Sequence, residues 1–242
     1  MNFNRKIYFD SVRPMFGGLS QDQVNGQEFI LSAWETAPIS DDRRHLAYSL
    51  ATTKHETAST MLPIEEYGKG KGYSYGVPDP KTGKTYYGRG FVQLTWIDNY
   101  RNATKKLSLE GEDDLEWHPE RALNPIIAAK IMFKGMEEGW FRKSKDGKPQ
   151  TLARYFNDDT DDAYSAREII NGDKHTVPSW SNGVSIGKLI ADYHEKFLDA
   201  LVLSMVDEPV QPVPEPAPTL TVTVTIKAPP GVTVVVNTET GD

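Results

Sequence analysis

Apolar positions recur at helical spacing through most of residues 1–207. One stripe runs through Leu46, Ala47, Leu50, Ala51, His55, Ala58, Met61 and Leu62, with Asp41 and Asp42 as candidate caps and Pro63 as its end. A second opens at Asn124-Pro125, carries Ile126, Ile127, Ala129, Met132, Phe133 and Met136, and stops at Gly139. A third, capped by Ser185, carries Ile186, Leu189, Ile190, Tyr193, Phe197 and Leu201. Polar, glycine-rich stretches separate them. Tyr67–Gly90 holds seven glycines and two prolines, which predicts a long loop or a short hairpin region. Long ordered loops inside compact domains tend to be functional.

The pattern changes at Glu208. The run EPVQPVPEPAP is an extended, semi-rigid spacer. Beyond it Leu220, Val222, Val224 and Ile226 alternate with polar residues, Pro229-Pro230-Gly231 makes a turn, and Val232, Val234 and Val236 return. The expected organisation is a helical domain over 1–207, a proline-rich linker over 208–219 and a β-hairpin tail over 220–242. A lone hairpin is marginal in water. It is expected to dock on the main domain, on another copy or on a partner, the alternative being a frayed terminus.

Composition narrows the function. The formal charge is -7 and no Lys/Arg block stands out, which argues against a nucleic-acid partner. The chain has no cysteine, so thiol catalysis and disulfides are excluded. No run reaches the roughly 20 apolar residues of a membrane helix, so no membrane insertion is expected. The opening residues carry no apolar core of signal-peptide length, which predicts synthesis in a host cytoplasm and delivery by other means.

Two segments carry candidate chemistry. Lys54-His55-Glu56-Thr57 lies late in the first stripe, with Glu65 and Glu66 following; Tyr87-Gly88-Arg89-Gly90-Phe91-Val92-Gln93-Leu94-Thr95-Trp96 precedes Asn99 and Tyr100. Glycoside hydrolysis needs one carboxylic acid to protonate the leaving oxygen and a second carboxylate to activate water or attack the sugar. A glutamate at a half-buried groove wall suits the first role, because desolvation favours the protonated form. A helix end followed by a loop can fold Glu65 back across a groove from Glu56. The plainer alternative leaves all three glutamates as solvated surface charges. Gly88 and Gly90 around Arg89 imply a tight backbone path beside a charge that needs a partner. Gln93, Thr95 and Asn99, on a strand leading into a helix, can line a cleft wall or tie a loop to the core.

The segment YGRGFVQLTWIDNY closely resembles the signature of glycoside hydrolase family 19, the chitinases and related phage or bacterial endolysins, where it reads like YGRGPIQLSWNYNY. His55-Glu56-Thr57 resembles the family's HET segment, and Ala166-Arg167-Glu168-Ile169-Ile170-Asn171-Gly172 resembles its R-x-INGG segment, in the family order. The resemblance covers about residues 45–200. It implies a mainly α, lysozyme-like α+β catalytic domain with a small β region beside the cleft. It implies Glu56 as general acid, Glu65 as general base and Thr95 as the residue holding the water. Gln93, Asn99 and Asn171 match sugar-binding positions, and Tyr87 matches a tyrosine near the cleft. Arg89 and Arg167 are expected to be structural or to tune the carboxylates, and His55 to pack beside Glu56. No cofactor or metal is implied. The sequence departs from the family at Ala58 and Ser59, where two glycines are usual, at Phe91 for proline and at Asp173 for the second glycine of INGG. Glu66 leaves the identity of the base open.

The resemblance implies an inverting reaction, with carboxylates roughly 6.5–9.5 Å apart. Chitin and peptidoglycan share the link that would be cut. The absence of cysteine, the nine-residue spacing of Glu56 and Glu65 and the closing segment KLIADYHEKFLDAL favour peptidoglycan and an endolysin. Such a protein acts on the wall after release by a holin or as part of a virion, with the hairpin serving attachment or self-association. Rival readings are a chitinase, a lytic transglycosylase that needs only Glu56, and a non-catalytic wall-binding or virion structural protein.

Overall fold

The computed structural model describes residues 1–206. The linker and hairpin expected over 208–219 and 220–242 lie outside the described residues. Seven α-helices run in the order α1 (Arg5–Phe16), α2 (Gln21–Thr36), α3 (Arg43–Glu56), α4 (Ile97–Lys106), α5 (Pro125–Glu138), α6 (Leu152–Tyr155) and α7 (Ile186–Ser204). Two small antiparallel ladders accompany them. β1 (Asn2–Phe3) pairs with β4 (Met205–Val206), and β2 (Ile64–Glu65) pairs with β3 (Arg89–Gly90). This is the mainly α arrangement with a small β region that the sequence predicts.

Local chemistry sets most helix ends. The Asn4 side chain accepts from Ile7 N–H to open α1. Ser20 and Gln23 form a reciprocal capping box on α2. Asp42 caps α3, and Asn124 caps α5 with Pro125 at its first position. Gly139, at φ +70°, closes α5 in the left-handed conformation that glycine adopts without steric cost. Helix α7 begins after Ser185, as expected, although the serine side chain makes no capping bond.

Helix α3 is the centre of the molecule. Every residue from His45 to Lys54 is buried. It packs chiefly on α7, which also receives α1, while α2 packs on α5. Tyr48, Trp34, Phe156 and Phe197 are among the largest fully buried side chains. Each such side chain contributes about 1.5–3 kcal/mol of burial free energy. Polar side chains on α3 find local partners: Ser49 Oγ donates to His45 O at 2.8 Å, and Thr57 Oγ1 donates to Thr53 O at 2.7 Å.

One boundary corrects the sequence reading. The stripe predicts helix through Leu62, but α3 ends at Glu56. Ala58, Ser59 and Met61 have positive φ, and Ser59 N–H returns to Lys54 O at 2.8 Å. Met61 N–H donates to Thr57 Oγ1, so a side chain takes over where the helical bond would be. Met61 still enters the core, which is why the apolar spacing outlasts the helix.

Candidate active site

Glu56 is the last residue of α3. The sequence reading set it against an apolar wall; the structure sets a guanidinium on it. Arg167 Nη1 donates to Glu56 Oε1. The same arginine donates from Nε to Asp173 Oδ1 at 2.6 Å and from Nη2 to Asp173 Oδ2 at 3.1 Å. Its side chain is only 3% exposed. Burial alone would lower the Arg167 pKa, but the charges of Glu56 and Asp173 and their hydrogen bonds overcome it and the net shift is upward. Burial would raise the Asp173 carboxyl, but Arg167 holds it below the usual range. Asp173, standing where the family has glycine, is therefore the second carboxylate of this arginine.

Asn171 belongs to the same cluster. Its Nδ2 donates to Asp173 Oδ2 at 3.1 Å and its Oδ1 accepts from Gly172 N–H at 2.8 Å. A Cβ at Gly172 would sit 2.8 Å from the Arg142 guanidinium, which itself pairs with Glu168 at 2.6 Å. Burial pushes the His55 imidazole down, only partly offset by the Glu56 charge, so the ring is neutral near pH 7 and packs beside Trp180. It serves no metal cluster among the described residues.

Glu65 anchors a second cluster on the β2–β3 ladder, directly opposite Arg89. Lys69 Nζ approaches its Oε2 at 2.8 Å, Tyr87 Oη donates to its Oε1 at 2.6 Å, and Arg89 Nε stands 3.5 Å away. The hydrogen bonds from Lys69 and Tyr87, with the charges of Lys69 and Arg89, hold the Glu65 carboxyl below the usual range against its partial burial. It is therefore ionised at neutral pH, as a base must be. The Arg89 guanidinium lies 3.7 Å over the Tyr87 ring and donates to Tyr100 Oη, which donates to Tyr87 O. Glu66 is engaged differently. Its Oε2 accepts from Gly88 N–H at 3.2 Å and its Oε1 from Tyr75 Oη at 3.4 Å, so it ties loop to ladder.

Gln93, Thr95 and Asn99 form a chain of bonds into that ladder. Asn99 Nδ2 donates to Thr95 O, Thr95 Oγ1 donates to Gln93 O, and Gln93 Nε2 donates to Ile64 O and Gly90 O. Each donor has a backbone partner, leaving the amide oxygens and the threonine lone pairs as acceptors for sugar hydroxyl or amide N–H groups. The candidate residues thus fall into two groups: Glu56 with Asn171, and Glu65 with Tyr87, Gln93, Thr95 and Asn99. No hydrogen bond or ion pair among the described residues joins the two groups. A cavity of about 850 Å³ lies apart from both; Phe29, Ala33, Ile126 and Phe133 give it an apolar wall that contains none of these carboxylates. Sequence reading missed Lys69 and the part played by Asp173. The Glu65/Lys69 spacing of four was a signal available for the first.

No family model matches the chain. It is 44% identical over 68 residues to one Arabidopsis thaliana endochitinase and 41% identical over 68 residues to another, matches that span 28% of this chain and 24% of each relative. It is 31% identical over 97 residues to chitinase 6 of Oryza sativa subsp. japonica, spanning 38% of this chain and 34% of that one. The matches thus cover about a quarter to a third of the curated relatives' length. Among solved structures, chitinase C from Streptomyces griseus HUT6037 superposes with a TM-score of 0.52 at 20% identity, over 84% of this chain and 80% of that one. A mutant of chitinase C gives 0.50 at 19% identity, over 84% and 97%. The chain is chitinase-like: similar to plant chitinases in sequence over part of its length and to chitinase C in fold over most of it.

Proposed function

We propose that the protein is a glycoside hydrolase that cuts β-1,4 links between amino sugars by an inverting mechanism. The observation that carries this reading is the placement of two carboxylates at the matched positions, Glu56 at the end of α3 and Glu65 on the β2–β3 ladder. Glu65 is held ionised by Lys69, Tyr87 and Arg89. Glu56 stands at a helix end with one oxygen on Arg167 and no hydrogen bond to Oε2 among the described residues. In the proposed reaction Glu56 gives a proton to the leaving oxygen. Glu65 removes one from a water that attacks the anomeric carbon from the opposite face, and Thr95 accepts a hydrogen bond from that water. The sugar-binding residues are Tyr87, Gln93, Asn99 and Asn171.

The polymer proposed is bacterial peptidoglycan, with the protein acting as an endolysin released to the wall or carried on a virion. Chitin is the second reading, favoured by the chitinases to which the chain is similar. Incubation with purified sacculi and with colloidal chitin, followed by mass spectrometry of the products, tests both. Reducing-end muropeptides are expected from sacculi. Release from chitin alone overturns the endolysin reading, and anhydro-sugar ends overturn hydrolysis. Glu56→Gln is expected to lower turnover by at least about a hundredfold, the usual contribution of a general acid, with circular dichroism unchanged. Wild-type activity in that variant overturns the assignment of the acid.

A further inference from the structure

Three aromatic side chains between Glu66 and α4 lie on the protein surface in an ordered stack. The Tyr73 and Tyr75 rings are parallel, with centroids 5.1 Å apart and 5° between planes. Trp96 meets Tyr75 edge-on at 5.0 Å. Tyr73 is 61% exposed and Trp96 50% exposed. Aromatic side chains carry the largest hydrophobic driving force for burial, and a contiguous exposed set of them marks a surface that binds something.

The stack is held in place by the residues around the candidate base. Tyr75 Oη donates to Glu66 Oε1, beside Glu65 in sequence, and Glu66 Oε2 takes the Gly88 N–H. Tyr86 N–H donates to Tyr75 O at 3.0 Å and Trp96 N–H to Tyr86 O at 2.8 Å. Gly70 and Gly76 press together so closely that a Cβ on Gly76 would lie 2.0 Å from Gly70 O. Trp96 itself has φ +74°, a left-handed conformation strained for a bulky residue. Such strain persists where surrounding structure over-determines a residue, and it clusters at ligand sites. The backbone around Trp96 also presents Thr95 and Asn99, whose free acceptors are described above.

We propose that Tyr73, Tyr75 and Trp96 form a stacking platform for one pyranose ring of the glycan strand, on the Glu65 side of the bond that is cut. The proposal rests on the hydrolase reading for the identity of its ligand. A β-linked N-acetylglucosamine-type ring carries its substituents equatorially. Its two faces are therefore flat and lined by C–H groups, while hydroxyl and amide groups project from the rim. Such a face suits an aromatic ring, whose π surface is electron-rich and apolar. The rim groups suit the acceptors of Thr95 and Asn99. No formal charge lies on the three rings, which matches an uncharged sugar.

The test uses the full chain carrying Glu56→Gln, so that the probe is not consumed, and the N-acetylglucosamine hexamer as probe. Tryptophan fluorescence is titrated with the hexamer. A saturable change is expected, and it is expected to vanish when Trp96→Phe is added. Tyr73→Ala removes an exposed ring that stacks on Tyr75 and makes no side-chain hydrogen bond among the described residues. In that background it is expected to weaken the hexamer Kd about tenfold, the scale of one aromatic contact. In the otherwise wild-type protein it is expected to raise KM with kcat within about twofold, the pattern of lost uniform binding. Unchanged Kd and KM in Tyr73→Ala overturn the platform, as does the absence of any Trp96-dependent signal. A Trp96-dependent signal in a protein whose wild type cleaves neither sacculi nor chitin upholds the platform and overturns the hydrolase. Cleavage by a wild type whose Tyr73→Ala variant behaves identically does the reverse.

Discussion

Ala58 has φ +49° and Ser59 φ +65°, in the left-handed region where the resemblance leads one to expect glycines. Each Cβ there costs about 1 kcal/mol or more. At Ser59 the cost is partly offset, because its hydroxyl accepts from Lys54 Nζ at 2.9 Å. At Ala58, which is exposed, nothing comparable is present. Ala58→Gly is therefore expected to stabilise the fold by about 0.5–1 kcal/mol after the larger entropy of the unfolded glycine chain is subtracted. A chemical-denaturation midpoint that falls in the variant overturns this. A second residue-level prediction concerns Glu65. Lys69 and Tyr87 both stabilise its ionised form. Lys69→Ala and Tyr87→Phe each remove one of those bonds, so the Glu65 pKa rises toward the ordinary carboxylate range. The acid limb of the kcat/KM profile is expected to move to higher pH in both variants. An unmoved limb in both means that Glu65 is not the group titrating there.

At the scale of elements, α7 carries a buried base. His194 is 3% exposed, its ring stacks 5.1 Å from Phe156, and neither ring nitrogen has a hydrogen-bond partner among the described residues. Burial pushes its pKa down to about 4. In the unfolded chain it titrates near about 6.5. The unfolded state therefore binds the extra proton between those values. Stability is full above about pH 6.5, falls as pH drops toward 4 and is flat below, a total of about 3 kcal/mol. His194→Phe is expected to flatten that slope in urea titrations at successive pH values; an unchanged slope refutes the assignment. Elements also show what the sequence could convey. Helices α5 and α7 were legible because their stripes coincide with caps at Asn124, Gly139 and Ser185. The end of α3 was not, because Met61 stays buried after the helix has stopped. Glu56 was legible from its motif. Its electrostatic setting was not, because Arg167 arrives from 111 residues away. The strain at Trp96 has no sequence signal, since any residue can be written at a position whose φ only the fold imposes.

For the molecule as a whole, the described residues form a helical body around α3, with the β2–β3 ladder carrying one candidate carboxylate and the end of α3 the other. The fold likeness to chitinase C covers 84% of the chain. Its other ladder has a separate meaning. β1 and β4 pair Asn2 with Val206 and Phe3 with Met205, and Asn4 N–H donates to Ser204 O at 2.6 Å. The described body is in topological terms a ring with one bond missing. Its connectivity is therefore separable from its packing: a short linker from Val206 to Asn2, with a new break in the exposed turn at Lys145–Gly147, is expected to give a circular permutant with the same circular dichroism and a melting temperature within about 10 °C. Collapse of that permutant would show that the order in which the helices are synthesised, and not only their contacts, is needed to assemble the body around α3.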